Sequence, residues 1–219
     1  MYQPAAFRED RLEILHALIR SHPLATLITA GEGGLIANLV PFIVTEAGDK
    51  GTLRAHIAKA NGQVNALRAG AETLVVFQGP EAYITPSWYT SKREHGRVVP
   101  TWNYVVVQVR GTPRVIDDAA WLRNQIDALT SSQEKHRNPA WKVSDAPAEF
   151  ISGQLGAIIG IEIPVATIDG KWKVSQNRSA ADRRGVQDGL QTEGRLDMAT
   201  LVAQDDSAEN QTAGFPDGR

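Results

Sequence analysis

The sequence predicts an α+β fold dominated by strands, a small antiparallel β-barrel with accessory helices. Three observations carry this. At least six apolar runs of strand length follow one another, several separated by tight turn sequences. Helical periodicity is confined to the flanks and to short insertions. Two of the runs, residues 74–77 and 105–109, bracket a polar, proline-bearing loop crowded with aromatics. Strands that succeed one another without long crossovers pair antiparallel, which disfavours a doubly wound sheet.

Residues 8–20 place Leu12, Leu15, Leu18 and Ile19 on one helical stripe, ended by Ser21-His22-Pro23. His16 falls on the flank of that stripe. Residues 24–29 read as a strand, 31–34 as a turn, and 35–45 as a second strand with Pro41 marking an edge or bulge. Gly48-Asp49-Lys50-Gly51 reads as a hairpin turn and 52–58 as a third strand, giving a meander. Asn61 is the expected N-cap of a short helix carrying Val64 and Leu67 and closed by Gly70. Strands follow from Thr73 and from Tyr104. Asp117 and Asp118 can cap a helix with Leu122, Ile126 and Leu129 on one face. Residues 131–147 read as a polar connection ending in a short helix around Phe150, and 157–163 as a buried strand. Asp169-Gly170 reads as a hairpin turn into a strand over 171–175. Ser179 and Asp182 resemble a capping box opening a helix with Val186 and Leu190. Residues 204–219 are acidic and polar and are expected to be loose. The expected organisation is one domain over residues 1–190, then a short helix and polar tail over 191–219.

Composition excludes several classes. The net charge of −2 gives no global basic field for nucleic acid or an anionic membrane. The chain has no cysteine, hence no disulfide, thiolate nucleophile or cysteine-ligated metal, which suits a reducing cytoplasm. The first residues lack a signal-peptide pattern, and no run approaches the ~18 apolar residues of a membrane span. No dinucleotide-binding or P-loop glycine motif, nucleophile elbow or zinc-protease motif occurs, and the five histidines lack ligand spacing. No metal site is expected.

The chemistry sits in three places. Tyr83, Trp88, Tyr89, Trp102 and Tyr104 alternate with Thr85, Ser87, Thr101 and Asn103, and flat rings beside hydroxyl and amide groups suit a planar, polar-edged ligand. The alternative is a twisted hairpin whose rings fill a core. Lys59 and Asn61 stand where a strand runs into a helix start, a place able to receive a phosphate. Lys173, Gln176 and Asn177 put a cation and two amides at a strand end, able to bond the edge of a heterocycle. Each group alone also reads as ordinary surface or cap. Lys92, Arg93, His95 and Arg97 form a basic loop, a solvated face or a contact for phosphate or an acidic partner.

The stretches VFQGPEAYITPSWY, VPTWNY and KWKVSQNRSAADRRGV, in this order and spacing, resemble the PaiB family of FMN-binding negative transcriptional regulators. The likeness runs from the opening MYQP to about Leu190. It implies an FMN-binding split β-barrel, a homodimer, and FMN in a groove at the subunit boundary. By the same resemblance Lys59 and Asn61 are phosphate contacts, and Thr101, Trp102 and Asn103 are ring or ribityl contacts. Lys173, Gln176 and Asn177 are further site residues contributed by either subunit, and Tyr83, Ser87 and Trp88 are wall candidates. The chain departs from the pattern at Leu39, where a His is expected, and at Lys59, Gly62 and Val64, where Arg, Pro and Trp are expected. Lys keeps the charge but loses the bidentate fork of Arg. FMN stays the leading ligand, with weaker binding or an altered cofactor as the alternative.

Three functions follow. One is an FMN-responsive repressor contacting DNA through Lys92, Arg93 and Arg97, although no helix-turn-helix or basic stripe is evident. Another is a flavin-dependent oxidoreductase using reduced nicotinamide, for which no catalytic residue stands out. The third is a flavin- or tetrapyrrole-binding module without turnover.

Overall fold

The structure, a computed structural model, describes residues 1–31 and 33–212, with side chains through Gln204. In chain order the first elements are β1 (Arg8–Glu9), α1 (Leu12–Ser21), β2 (Leu24–Gly31), β3 (Gly34–Pro41), β4 (Ile43–Thr45), β5 (Thr52–Ala58), α2 (Gln63–Arg68) and β6 (Thr73–Ile84). Then come α3 (Ser91–Glu94), β7 (Thr101–Gly111), β8 (Arg114–Ile116), α4 (Ala119–Glu134), α5 (Ala148–Gly156), β9 (Ile158–Pro164), β10 (Thr167–Lys173), α6 (Ala180–Thr192) and α7 (Leu196–Thr212). Two compact units share them. The larger comprises Arg11–Phe77 and Val107–Asp169, and the smaller comprises Met1–Asp10, Gln78–Val106 and Gly170–Arg219. The long strands β6 and β7 each run through both.

The larger unit holds two antiparallel groups of strands. In one, β2 lies between β3 and β6, with Leu27 opposite Asn38 and Val75. In the other the order is β4-β5-β9-β8. The two-residue period of β5 and β9 explains the core. Leu53, Ala55 and Ile57 pair with Ile163, Ile161 and Ile159, and all are buried. The opposite face of the same strands carries Arg54, His56, Gly160 and Glu162 beneath α4. Gly160 is required there because a Cβ would lie 2.3 Å from the Trp121 ring. Arg54 stacks on that indole at 4.4 Å and reaches Glu162 at 3.5 Å. Burial lowers the pKa of His56, whose Nδ1 has no hydrogen-bond partner.

The smaller unit orders its strands β1-β10-β7-β6, with Arg8 opposite Lys171 and Glu9 opposite Gly170. Its helices are α3, α6 and α7. Ser179 caps α6 by accepting the Asp182 N–H at 3.2 Å.

Several sequence expectations are corrected. The first helix starts at Leu12, because Arg8 and Glu9 pair as a strand with Lys171 and Gly170. His16 is buried rather than flanking, and its Nε2–H donates to the Lys50 carbonyl at 3.0 Å. The strand expected over 35–45 breaks after Pro41, which has no N–H to extend a ladder. Phe42 is buried there, its N–H donating to Pro23 O, and β3 and β4 enter different sheets, so there is no three-strand meander. Asp169-Gly170 is not a turn. Both residues lie inside β10, and the reversal falls at Val165-Ala166, whose N–H groups donate to Gly51 O and Arg110 O. Pairing of Gly170 with Glu9 overrides the local turn preference of the dipeptide. The strand expected to reach Ser175 ends at Lys173. Gly62, not Asn61, is the N-cap of α2, while Asn61 Oδ1 accepts the Gln63 N–H. The helix α7 continues through the first part of the expected polar tail, and residues 213–219 and Glu32 lie outside the described residues.

Candidate functional site

The polar and aromatic groups expected to bind a ligand fall in both units. In the smaller unit, Tyr83 near the end of β6 and Trp102 near the start of β7 form an edge-to-face pair. Their ring centroids are 5.8 Å apart and the planes are inclined at 70°. Both rings stay in water to an unusual degree, 48 % and 53 % exposed. Strand alternation explains the placement, because Ala82, Ile84 and Asn103 beside them point inward and are buried.

A cationic cluster adjoins the pair. The Lys173 ammonium donates to Thr101 Oγ1 at 2.6 Å and to the backbone carbonyl of Trp102 itself. Burial lowers the pKa of Lys173, and the charges of Lys171 and Arg178 lower it further. Lys171 is 7 % exposed and donates to Tyr2 O at 3.2 Å. Its ammonium lies 5.1 Å from the Tyr104 ring and 5.5 Å from the Tyr2 ring. Arg178 lies over the Tyr89 ring at 4.7 Å. Burial raises the pKa of Tyr89, opposed by the Arg178 charge.

Other expected site residues are occupied within the protein. Asn103 is buried and donates to Ser175 Oγ at 2.9 Å. Ser175 has φ +71°, the left-handed region that a serine enters only at a cost, and the Asn103 amide holds it there. Gln176 closes its own loop, its Oε1 accepting the Val174 N–H at 2.8 Å and its Nε2 donating to Trp172 O at 2.6 Å. Asn177 is exposed. Ser87 is exposed, and its Oγ accepts from Lys92 Nζ at 3.2 Å. Trp88 lies in a notch of α6. A Cβ on Gly189 would be 2.3 Å from its indole, and one on Gly185 would be 2.0 Å from its carbonyl oxygen. The Asp182 carboxylate fastens the same segment, accepting the Ser91 N–H at 3.0 Å and Oγ–H at 2.8 Å. Burial alone would raise the Asp182 pKa. Hydrogen bonds from Ser91 and Ser179 and the charge of Arg178 outweigh it and leave the pKa lowered. The expected capping box is therefore half formed, since this carboxylate serves Ser91. Lys92, Arg93 and Arg97 are exposed on and after α3.

In the larger unit, Lys59 is exposed just past β5 and pairs with Asp117 at 2.8 Å. Gln63, the next buried polar residue, is a hub that sequence reasoning missed. Its Nε2 lies within 3.2 Å of Leu27 O, Thr29 Oγ1 and Ile36 O, and its Oε1 accepts from Asn38 Nδ2 at 2.8 Å. Lys171, Ser175, Arg178 and the Gly185/Gly189 pair were missed too. The glycine pair had a readable signal, two glycines at i and i+4 inside a helical pattern. Leu39 is 66 % exposed on β3.

Two antiparallel sheets with flanking helices define an α+β fold of split-barrel type, and in the smaller unit an open ring pair stands beside a partly buried cation cluster. The chain belongs to the family described as "Putative FMN-binding domain", whose model matches residues 1–167, so its cofactor class is FMN. Lys173, Gln176 and Asn177 lie beyond that match. A protein of Emericella nidulans is 36 % identical, with 89 % of this chain and 92 % of the relative covered. "Protease synthase and sporulation protein PAI 2" of Bacillus subtilis is 31 % identical, over 88 % of this chain and 90 % of the relative. Among solved structures, the FAD and heme binding protein from Mycobacterium smegmatis superposes with a TM-score of 0.56 at 20 % identity, covering 76 % of this chain and 73 % of that one.

The donor set of the smaller unit fits a flavin ring. It offers aromatic rings, the Thr101 hydroxyl and an ammonium that forms no ion pair with a carboxylate among the described residues. No helix among the described residues is long and apolar enough to cross a membrane. Among the described residues no cluster of histidine and carboxylate side chains could hold a metal ion.

Proposed function

We propose that this chain is a cytoplasmic, homodimeric, FMN-binding transcriptional regulator of the PaiB type. The observation that carries the flavin reading is the exposed Tyr83–Trp102 pair with Lys173 bonded to the Trp102 carbonyl. In this reading Tyr83, Thr101, Trp102 and Lys173 contact the ring and its edge. Lys59 and Asn61 are the phosphate contacts. Asn103, Gln176 and Trp88 act by holding the loops that present the others.

The dimer is supported by the larger unit. The outer face of β2 and β3 carries Leu24, Thr26, Ile28, Ala30, Leu35, Ala37 and Leu39, with no charge among them. Leu24, Leu35 and Leu39 are 57 %, 79 % and 66 % exposed, and β3 is the last strand of its sheet. An uncharged face beside an open edge calls for cover, and a second copy of the chain is the economical one.

Regulation is supported by the Bacillus subtilis relative, which is named for protease synthase and sporulation. The nucleic-acid contacts proposed are Lys92, Arg93 and Arg97. The helices α6 and α7 are joined by three residues, the length of a helix-turn-helix link, but the sequence of α7 has no Lys, Arg or His and is acidic. It is ill suited to a phosphate-lined groove.

The test has two arms. In the first, the purified protein should retain a yellow chromophore released as FMN, and replacing Tyr83 and Trp102 together by Ala should weaken FMN binding at least tenfold. In the second, the protein should retard promoter DNA, with affinity falling steeply as salt rises and falling further when Lys92, Arg93 and Arg97 are replaced. Unchanged FMN binding in the double variant refutes the platform. DNA binding absent at low ionic strength refutes the regulator, and anaerobic bleaching of the flavin by NADH or NADPH would make the protein an oxidoreductase instead.

A further inference from the structure

We propose that Lys173 sets the charge preference of the ring site, so that the protein holds two-electron-reduced, anionic flavin more tightly than oxidised, neutral flavin. The inference rests on the reading of Tyr83 and Trp102 as the ring platform. It goes beyond that reading by assigning the site a preferred redox form.

The geometry carries it. The ammonium of Lys173 is tied to the backbone of the residue whose indole forms the platform, and to the hydroxyl one residue earlier. A planar ring laid against Trp102 would lie beside a residue whose backbone carbonyl and preceding hydroxyl hold a positive charge. Lysine has three N–H donors. Two are directed to Trp102 O and Thr101 Oγ1, which leaves a third for a ligand.

The electrostatics point the same way. Both partners of Lys173 are neutral, and no carboxylate among the described residues forms an ion pair with it. Its charged neighbours are Lys171 and Arg178, of the same sign, and Arg178 also feels Asp182. Asp182, the nearby acid, is held by Ser91 and Ser179. A half-buried cation among like charges gains most from a partner that brings a negative charge. Oxidised flavin brings none on its ring. On taking up two electrons from an external reductant such as dithionite and one proton from solvent, the ring becomes an anion. The charge that Lys173 lacks arrives with reduction, and the reduced form is the better bound.

The test uses the full-length protein loaded with FMN. Midpoint potentials are measured by equilibration with a reference dye during anaerobic reduction, for wild type, Lys173→Met and Lys173→Arg. Affinity for oxidised FMN is measured separately by fluorescence quenching. Lys173→Met should lower the ratio of reduced to oxidised affinity about tenfold, read as a fall of about 30 mV for a two-electron couple. Lys173→Arg should stay within threefold of wild type. Lys173→Gln gives the same comparison should the Met variant fail to fold. Equal potentials in wild type and in the neutral variants, with FMN held by all, overturn the inference and leave the platform standing. Undiminished FMN affinity after loss of Tyr83 and Trp102 overturns the platform itself. A wild type that holds no FMN overturns both.

Discussion

Replacing Gly185 by Ala tests how the aromatic loop is held. In an exposed helix interior this change favours the helix by about 1 kcal/mol, because Ala loses less backbone entropy. Here the new Cβ would stand 2.0 Å from the Trp88 carbonyl oxygen and 3.2 Å from its carbonyl carbon. Ordinary contact begins near 3.4 Å, so about 1.4 Å of overlap must be relieved. The obstructing atoms are backbone, in the 3-10 turn Pro86–Trp88, whose first N–H groups are already committed to the Thr85 side chain and carbonyl. Moving helix and turn apart strains the two hydrogen bonds from Ser91 to the Asp182 carboxylate, which tie the same two segments together. Overpacking costs about 1–3 kcal/mol, and a weakened charge-assisted bond adds about 1.5 kcal/mol. Against the helix gain, the net loss is about 2 kcal/mol.

Gly153→Ala in α5 is the control, since a Cβ there meets nothing within 4 Å. It should stabilise by up to about 1 kcal/mol. Urea unfolding followed by tryptophan fluorescence measures both, the midpoint moving at constant slope. For a chain of this size the expected change in Tm is a fall of about 4–8 °C for Gly185→Ala and a rise of up to about 4 °C for Gly153→Ala. If the two substitutions stabilise alike, Trp88 is not seated against α6, and the account of how the 85–91 segment is positioned is wrong.

Other outcomes follow from the same contacts. Asn103→Ala should destabilise by about 1–3 kcal/mol, because it leaves buried Ser175 in the left-handed region without its amide partner. Ser175→Gly in that background should recover part of the loss in the same urea titration. Leu39→Lys, alone or with Leu35→Lys, should leave a folded protein with an unchanged far-ultraviolet spectrum and shift sedimentation from dimer to monomer. A dimer unaffected by both would remove β3 from the interface. Asp182→Asn should lose stability at neutral pH. The folded carboxyl has a lowered pKa, so its contribution is complete above the ordinary carboxylate range and is lost as pH falls through the lowered value. The gap between wild type and variant should therefore close on acidification, and a gap that widens toward low pH would contradict the assignment.

Much of the strand content was legible because burial writes a two-residue period into β2, β5 and β9. The helices α1, α4 and α6 were legible from apolar spacing and, for the last two, from Asp118 and Ser179 at their caps. Sheet membership was not. Pro41 marks an irregularity in residues 35–45, but nothing local records that Phe42 is drawn into the core and β4 passes to another sheet. The Asp169-Gly170 pair misled for a related reason, since a strand contributed by Arg8 and Glu9 imposes an extended backbone on it. At the site, residue types were legible but their occupation was not. Gln176 reads as a free amide until its loop is seen to fold back on Trp172. Arg178 reads as surface until Tyr89 is found beneath it.

Magnitudes decide which of the expected contacts can still serve a ligand. Lys59 is paired with Asp117, yet both side chains are substantially exposed, and such a pair contributes only about 0–1 kcal/mol. A phosphate dianion offers more charge than the carboxylate it would displace, so the pairing keeps Lys59 positioned without removing it from service. Asn103 is different. Freeing its amide would break a buried hydrogen bond and strand Ser175, a cost of about 1–3 kcal/mol that one contact with a ribityl hydroxyl, worth about 1 kcal/mol net, does not recover. Gln176 spends both ends of its amide on the loop that follows Lys173, and Trp88 would have to leave a slot cut to its shape by two glycines. The residues of the smaller unit able to meet a flavin without dismantling their own support are Tyr83, Thr101, Trp102, Lys173 and Asn177. Four of these stand on β6, β7 and β10, and two of the amides read as ligand contacts in the sequence, Asn103 and Gln176, are instead fastenings of the strand and loop that carry them.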